Sequence, residues 1–183
     1  QLYRYERDGV GWTPRVWNDT PVVESGDEYI SALTFSPLDP QRAYLATSRG
    51  RLLSSRDRGK SWTEAANEGP DGWYSYLYGM AIHASTLEVD TVWLGGSGYG
   101  GPPVFVSTDG GATLEPASEG LPSTLVYGLS EAPDGSGRMF AGTETAAYRL
   151  DPSAEAWVDI TGADAPVTTY WSVEPLAHVN AMR

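Results

Sequence analysis

The sequence predicts an all-β fold assembled from repeated four-stranded antiparallel units. Two observations predict it. An octet of the form Ser-x-Asp-x-Gly-x-Ser-Trp occupies residues 55–62 and returns, as Ser-x-Asp-x-Gly-x-Thr-Leu, 52 residues later at 107–114. Upstream of each copy lies a second recurring block, in which a short apolar strand, a turn and another short apolar strand follow one another. A pattern repeated at such a period describes an array of similar units. Two strands from the block and two around the octet make four, and four strands in roughly 40–50 residues is the size of a propeller blade.

Each octet reads as a tight turn between strands. Residues 51–54 lead into the first copy and residues 104–106 into the second. The Asp side chain can accept hydrogen bonds from backbone N–H groups just ahead of it, and Gly59 or Gly111 can take a positive φ. The aromatic or apolar residue at the end opens the outgoing strand and offers an anchor to the layer beneath. Weaker copies end at Trp12 and Trp157, so the four anchors are Trp12, Trp62, Leu114 and Trp157, spaced by 50, 52 and 43 residues. The upstream block appears as 32–47, as 79–95 and as 128–143.

These repeats divide the chain into three whole blades, at about 29–64, 76–116 and 124–160, with a half blade at 1–16 and another at 170–183. The first half is read as a third and fourth strand. The second is read as a first strand at 170–175 and a second at 179–183. Either the halves join and close a four-bladed ring, or the chain is part of a larger propeller in which a companion segment completes them. Unpaired strand edges favour pairing with something.

The octets at 55–62 and 107–114 resemble the Asp-box, or bacterial neuraminidase repeat, of sialidases, sortilin-type receptors, xyloglucanases and the photosystem II assembly factor. With Pro37-Leu38-Asp39-Pro40 and Ala46-Thr47 ahead of the octet, the pattern is similar to the non-sialidase members: sortilin-like, xyloglucanase-like and assembly-factor-like. The resemblance covers nearly the whole chain and implies a β-propeller. It implies a structural role for Ser55, Asp57, Gly59, Trp62, Ser107, Asp109 and Gly111, because the Asp-box of these families lies in a turn away from the active face.

Composition narrows the function. The 183 residues suffice for a sizeable core, and 21 Gly and 13 Pro suit many turns. No long apolar run of helical period occurs, and none is long enough to span a membrane. Twelve Lys and Arg against 24 Asp and Glu give a net charge of −12, a field that repels phosphate backbones and anionic membranes. The expected partner is therefore a polysaccharide or a protein, without nucleic acid and without membrane insertion. The absence of cysteine rules out disulfides and thiolate chemistry. It suits a bacterial exported protein, secreted or periplasmic, or a cytosolic one, better than a receptor ectodomain rich in disulfides; the expected location is secreted or periplasmic.

Several chemistries can be weighed. The sialidase resemblance implies three arginines gripping a carboxylate, for which a guanidinium fork is apt. Arg49, Arg51, Arg56 and Arg58 instead bunch in one blade, Arg42 and Arg138 fall in turns, and no Phe/Tyr-Arg-Ile-Pro segment occurs. A glycoside hydrolase needs a carboxylate pair separated by roughly 5–10 Å. The candidates on inner strands or loops are Asp27, Glu28, Asp71, Glu144 and Asp164, none within a distinguishing motif. The segment 134–137 reads as a hairpin turn rather than a calcium loop, since the alternating acids are missing. His83 and His178 fall in different repeats, and His83 is expected to be a hydrogen-bonded structural residue. Neither a metal nor a cofactor is expected.

A loop rim remains. The connections between successive blades carry Trp73, Tyr74, Tyr76, Tyr127, Tyr170 and Trp171, and the glycine-rich segment 95–103 adds Tyr99 on the same side. Glycine beside exposed Tyr and Trp is the composition of sugar- and peptide-binding surfaces. The reading is a non-catalytic exported propeller that binds through this rim. The alternatives are a fragment of a xyloglucanase-like glycoside hydrolase and an assembly-factor-type scaffold. No catalytic residue is assigned.

Overall fold

A computed structural model describes residues 2–18, 22–23, 26, 28–70, 81–176 and 181–182. The architecture is all-β. Sixteen strands are described: β1 (Leu2–Arg7), β2 (Trp12–Asn18), β3 (Ile30–Phe35), β4 (Ala43–Thr47), β5 (Leu52–Ser55), β6 (Thr63–Glu64), β7 (Ala81–Ala84), β8 (Val92–Gly95), β9 (Val104–Ser107), β10 (Glu115–Pro116), β11 (Val126–Glu131), β12 (Met139–Thr143), β13 (Ala147–Leu150), β14 (Val158–Asp159), β15 (Pro175–Leu176) and β16 (Ala181–Met182). They form three four-stranded antiparallel sheets, β3 to β6, β7 to β10 and β11 to β14, each paired in sequence order. Two hairpins, β1–β2 and β15–β16, form separate two-stranded sheets. Segment 170–174, expected as a first strand, has no ladder among the described residues, where the pairing is confined to Pro175 and Leu176.

The second strand of each sheet explains its apolar sequence. All of β4 and all of β12 are buried, because both faces meet a neighbour. Val92 and Leu94 of β8 join Tyr44, Ala46 and Leu52 of the first sheet in one cluster. Met139 and Ala141 of β12 join Val104 of β9, with Trp93 packed against them. Each Val, Leu or Met among them contributes roughly 1.5–3 kcal/mol when fully buried, so the fold draws much of its stability from the spaces between sheets.

Polar contacts repeat from sheet to sheet. Ser36 Oγ accepts from the N–H groups of Leu38 and Asp39, and Ser85 Oγ accepts from those of Leu87 and Glu88. Asn67 clasps the backbone of Leu114, donating to its carbonyl at 2.7 Å and accepting its N–H at 2.9 Å. Trp157 reaches back in the same direction, donating from Nε1 to the Ala117 carbonyl at 2.7 Å. Its ring meets Trp93 edge-on, with centroids 6.4 Å apart. Leu114 and Trp157 are buried anchors, as expected. Trp12 is not: it opens β2 with 67% of its surface exposed, and Trp17 packs against the next sheet in its place. The repeat at that end retains the turn but not the layer that would bury Trp12.

The two octets have the same hydrogen-bond pattern. Asp57 Oδ1 accepts from the N–H groups of Lys60 and Ser61 at 2.9 and 2.8 Å, and Oδ2 accepts from the Ser61 hydroxyl. Ser55 donates to Asp57 Oδ1 and accepts the Gly59 N–H at 2.7 Å. Asp109, Ser107, Gly111, Ala112 and Thr113 repeat each contact. Gly59 and Gly111 have φ of +85° and +88°, which a side chain would strain. Arg58 is the exception, a non-glycine residue at φ +66° where the second copy has Gly110.

The hydroxyl of Ser61, with the backbone donors behind it, holds the Asp57 carboxyl down at about 2. The hydroxyl of Thr113 does the same for Asp109, also at about 2. A carboxylate depressed below its unfolded value of about 3.9 stabilises the fold above that pH and ceases to as pH falls through the folded value. Stability followed by urea denaturation should therefore drop between about pH 4 and pH 2. In the Asp57→Asn/Asp109→Asn variant that drop should be shallower. At neutral pH, Asp57→Ala should cost about 2 kcal/mol by the same measurement, because it removes charge-assisted bonds to the turn.

Candidate functional site

The rim is built where two loops meet. Residues 96–103 join β8 to β9, and residues 117–125 lead from the second sheet to β11. Gly98 N donates to the Thr124 carbonyl at 2.8 Å, Ser123 Oγ donates to the Gly98 carbonyl at 2.7 Å, and Ser97 and Leu125 form a bridge. Between the loops lies an open groove of about 440 Å³, bordered by Gly101, Pro102, Pro103, Pro116, Gly120 and Pro122. A loop of glycines and prolines held by such contacts presents its one aromatic residue outward: Tyr99 is 53% exposed.

Tyr99 reaches across to the third sheet. Its hydroxyl donates to Glu144 Oε2, which also accepts the Leu125 N–H at 3.2 Å. Glu144 directly follows β12. The bond to this carboxylate pushes the Tyr99 hydroxyl up to about 12. Burial, with the Glu144 charge second, raises Tyr127 on β11. The Tyr127 ring stands 4.3 Å from that of Trp171 at a 44° tilt, and Trp171 is 66% exposed.

The strand-like stretch holding Trp171 lies on the third sheet. Tyr170 N donates to the Thr143 carbonyl at 2.8 Å and Ser130 Oγ donates to the Val173 carbonyl. Val173 is buried beside Ala132, Phe140 and Ala147. Gly142 permits the approach, since a Cβ there would collide with the Tyr170 carbonyl oxygen. Of the residues expected on the rim, Tyr99 and Tyr127 thus stand near Glu144, and Trp171 lies against Tyr127. Tyr170 is not among them: it packs against the Val173 cluster and its hydroxyl donates to the Pro166 carbonyl. Trp73, Tyr74 and Tyr76 lie outside the described residues.

The other candidate groups disperse. Glu28, expected as a loop acid, is buried and accepts two bonds from Arg51 Nη1, at 3.1 and 2.9 Å. Arg51 turns its remaining nitrogens to Glu64 at 2.8 and 2.6 Å. The bond to Glu64 leads in raising the Arg51 pKa, and Arg51 lowers that of Glu64. This ion-paired trio escaped sequence reasoning, because its members are 13 and 23 residues apart with no motif to join them. Arg42 pairs with Asp39 and Asp90, and Arg138 with Asp134 of its own turn, so the arginines serve separate partners. Asp164 is exposed beside a turn closed by Ala165 N and the Gly162 carbonyl. Asp27, Asp71 and His178 lie outside the described residues.

His83 was expected to be hydrogen-bonded. Its Nε2 is buried without a hydrogen-bond partner among the described residues, 3.6 Å from Glu131 Oε2. Burial lowers its pKa. Glu131 spends its oxygens on Thr86 and Ser85 instead. Burial opposes the Glu131 charge, yet those donors outweigh it and hold the carboxyl below its usual range. Among the described residues, no three His, Cys, Asp or Glu side chains form a metal-binding group, and no helix is long and apolar enough to cross a membrane.

No protein-family model and no curated protein matches the chain. Solved structures do. The extracellular domain of BT4673 from B. thetaiotaomicron is 16% identical over 98% of this chain and 23% of its own, with a TM-score of 0.68. The GH74 xyloglucanase from Xanthomonas campestris is 18% identical over 75% of this chain and 24% of its own, at 0.59. YCF48 bound to D1 peptide is 17% identical over 82% of this chain and 45% of its own, at 0.53. The chain therefore spans less than half the length of each of these structures. At such identities the likeness is one of fold, and with the sheet order described above it makes this chain a set of β-propeller blades.

Proposed function

We propose that the chain is a non-catalytic, exported binding module that holds a polysaccharide on the rim formed by Tyr99, Tyr127, Glu144 and Trp171. The observation that carries this reading is the exposed Trp171 against half-buried Tyr127, beside the Tyr99–Glu144 bond. Aromatic faces stack on the apolar faces of sugar rings, and a carboxylate fixed among them accepts from sugar hydroxyls. Glu144 is tied to Tyr99 and Leu125, which suits holding a ligand better than moving a proton. The two octets are read as Asp-boxes that brace the blades, and the blade limits as those drawn from the repeats.

A xyloglucanase-like glycoside hydrolase is the second reading, supported by the fold likeness to a GH74 xyloglucanase. It requires an acid pair in a cleft that this rim would only border. An assembly-factor-type scaffold would use the same rim for a protein partner, as the likeness to peptide-bound YCF48 allows.

Affinity electrophoresis through gels containing xyloglucan or other β-glucans tests the first reading. Trp171→Ala and Tyr99→Ala should each weaken retention about tenfold, the loss of one stacking contact of about 1.4 kcal/mol. Unchanged retention of both variants defeats the glycan reading. Sustained release of reducing ends, abolished by a single carboxylate substitution, would favour the hydrolase. Tyrosine absorbance offers a separate check on the site. One group should titrate near 12 and return toward 10 in Glu144→Gln. Because the folded value is the higher one, the bond's stabilising effect is present below about pH 10 and disappears as pH rises through 12.

A further inference from the structure

The rim differs in charge from the turns between strands. Acids in those turns are matched: Asp39 and Asp90 by Arg42, Asp134 by Arg138 and Asp151 by Arg149. The rim segments 96–103, 117–125, 143–147 and 166–174 contain Glu119, Glu144 and Glu174 and no Lys, Arg or His. Glu144 is half-buried. Its Oε2 is taken by the Tyr99 hydroxyl and the Leu125 N–H, both neutral donors. Its Oε1 has no hydrogen bond, and the carboxylate no cationic partner, among the described residues. A carboxylate partly withdrawn from water and matched only by neutral donors gains most from a cation that brings its own N–H groups.

The rings add to this attraction. The face of an aromatic ring carries the negative part of its quadrupole and draws cations. The Glu144 carboxylate also acts on its neighbours: its hydrogen bond raises the Tyr99 hydroxyl, and its charge, second to burial, raises that of Tyr127. The field over the rim is therefore negative, and an anionic ligand would meet a like charge there. An ammonium could belong to an amino sugar or to a lysine side chain. The sugar fits better. Trp171, two-thirds exposed, presents a flat face suited to a sugar ring. Its ring leans on Tyr127 at a 44° tilt rather than closing a cage around a slender alkyl chain.

We propose that the rim selects glycans bearing free amines, one ammonium donating to Glu144 Oε1 while a sugar ring of the same chain lies on Trp171. This rests on the glycan reading of the rim and narrows it to a cationic class of glycan.

Calorimetric titration with three β-linked hexasaccharides, of glucosamine, of N-acetylglucosamine and of glucose, tests the selection in weakly acidic buffer, where a sugar amine is protonated. The glucosamine hexamer should bind about tenfold tighter than the other two. This comparison on the unchanged chain needs no variant to fold. Glu144→Gln should remove the difference, and Trp171→Ala should weaken all three. Glu88→Gln removes an exposed charge from the turn between β7 and β8, at the opposite end of β8 from Tyr99, and should keep the difference. Equal affinity for the three hexamers, still weakened by Trp171→Ala, overturns the selection and leaves a glycan rim. An equal loss in Glu144→Gln and Glu88→Gln also overturns it, since net charge alone then attracts the amines. Failure of every hexamer to bind removes the glycan reading itself, and the selection with it. Binding of a lysine-rich peptide instead of the hexamers, lost in Glu144→Gln, overturns it in favour of a protein partner.

Discussion

Each sheet here has apolar residues on both faces of its second strand, and such a sheet is stable only between two neighbours. Tyr44 and Ala46 look one way and Ala43 and Leu45 the other, all of them buried. The same holds along β12. The two larger clusters fill the gaps between sheets, and the two smaller ones form where Val22 or Val173, outside the ladders, covers the first or the third sheet. The turns, clasps and ion pairs serve this constraint by fixing how far apart the sheets stand and at what angle.

Much of this was legible in the sequence, because repetition is itself a structural signal. The octets marked two turns in which the Asp carboxylate and the Ser hydroxyl make the same set of bonds, and the apolar blocks marked the strands around them. Legibility failed where a contact joins residues without a shared motif. Glu28 read as a loop acid, yet Arg51 neutralises it in the interior. Trp12 read as an anchor by its place after a Gly, yet burial depends on a layer that no octet encodes. Tyr170 and Trp171 are neighbours in sequence, but one enters the sheet's surface cluster and the other faces solvent.

The rim shows the same division. Its aromatic residues could be picked from composition, but their placement beside Glu144 or one another could not. That placement depends on Gly142 letting residues 170–173 approach, and on the Gly98 and Ser123 bonds that dock one loop on the next. Glycine thus shapes the site from beneath, by leaving room for the backbone that presents Trp171.

The clasp between Asn67 and Leu114 has a wider meaning. Both of its bonds go to main-chain atoms, which every residue except proline possesses in full. A joint of this kind is indifferent to the side chain at the position it grips. The aromatic anchor could therefore drift to leucine at 114 while the two blades kept their spacing. Adhesion through the backbone lets two repeats differ in spelling and still hold the same shape.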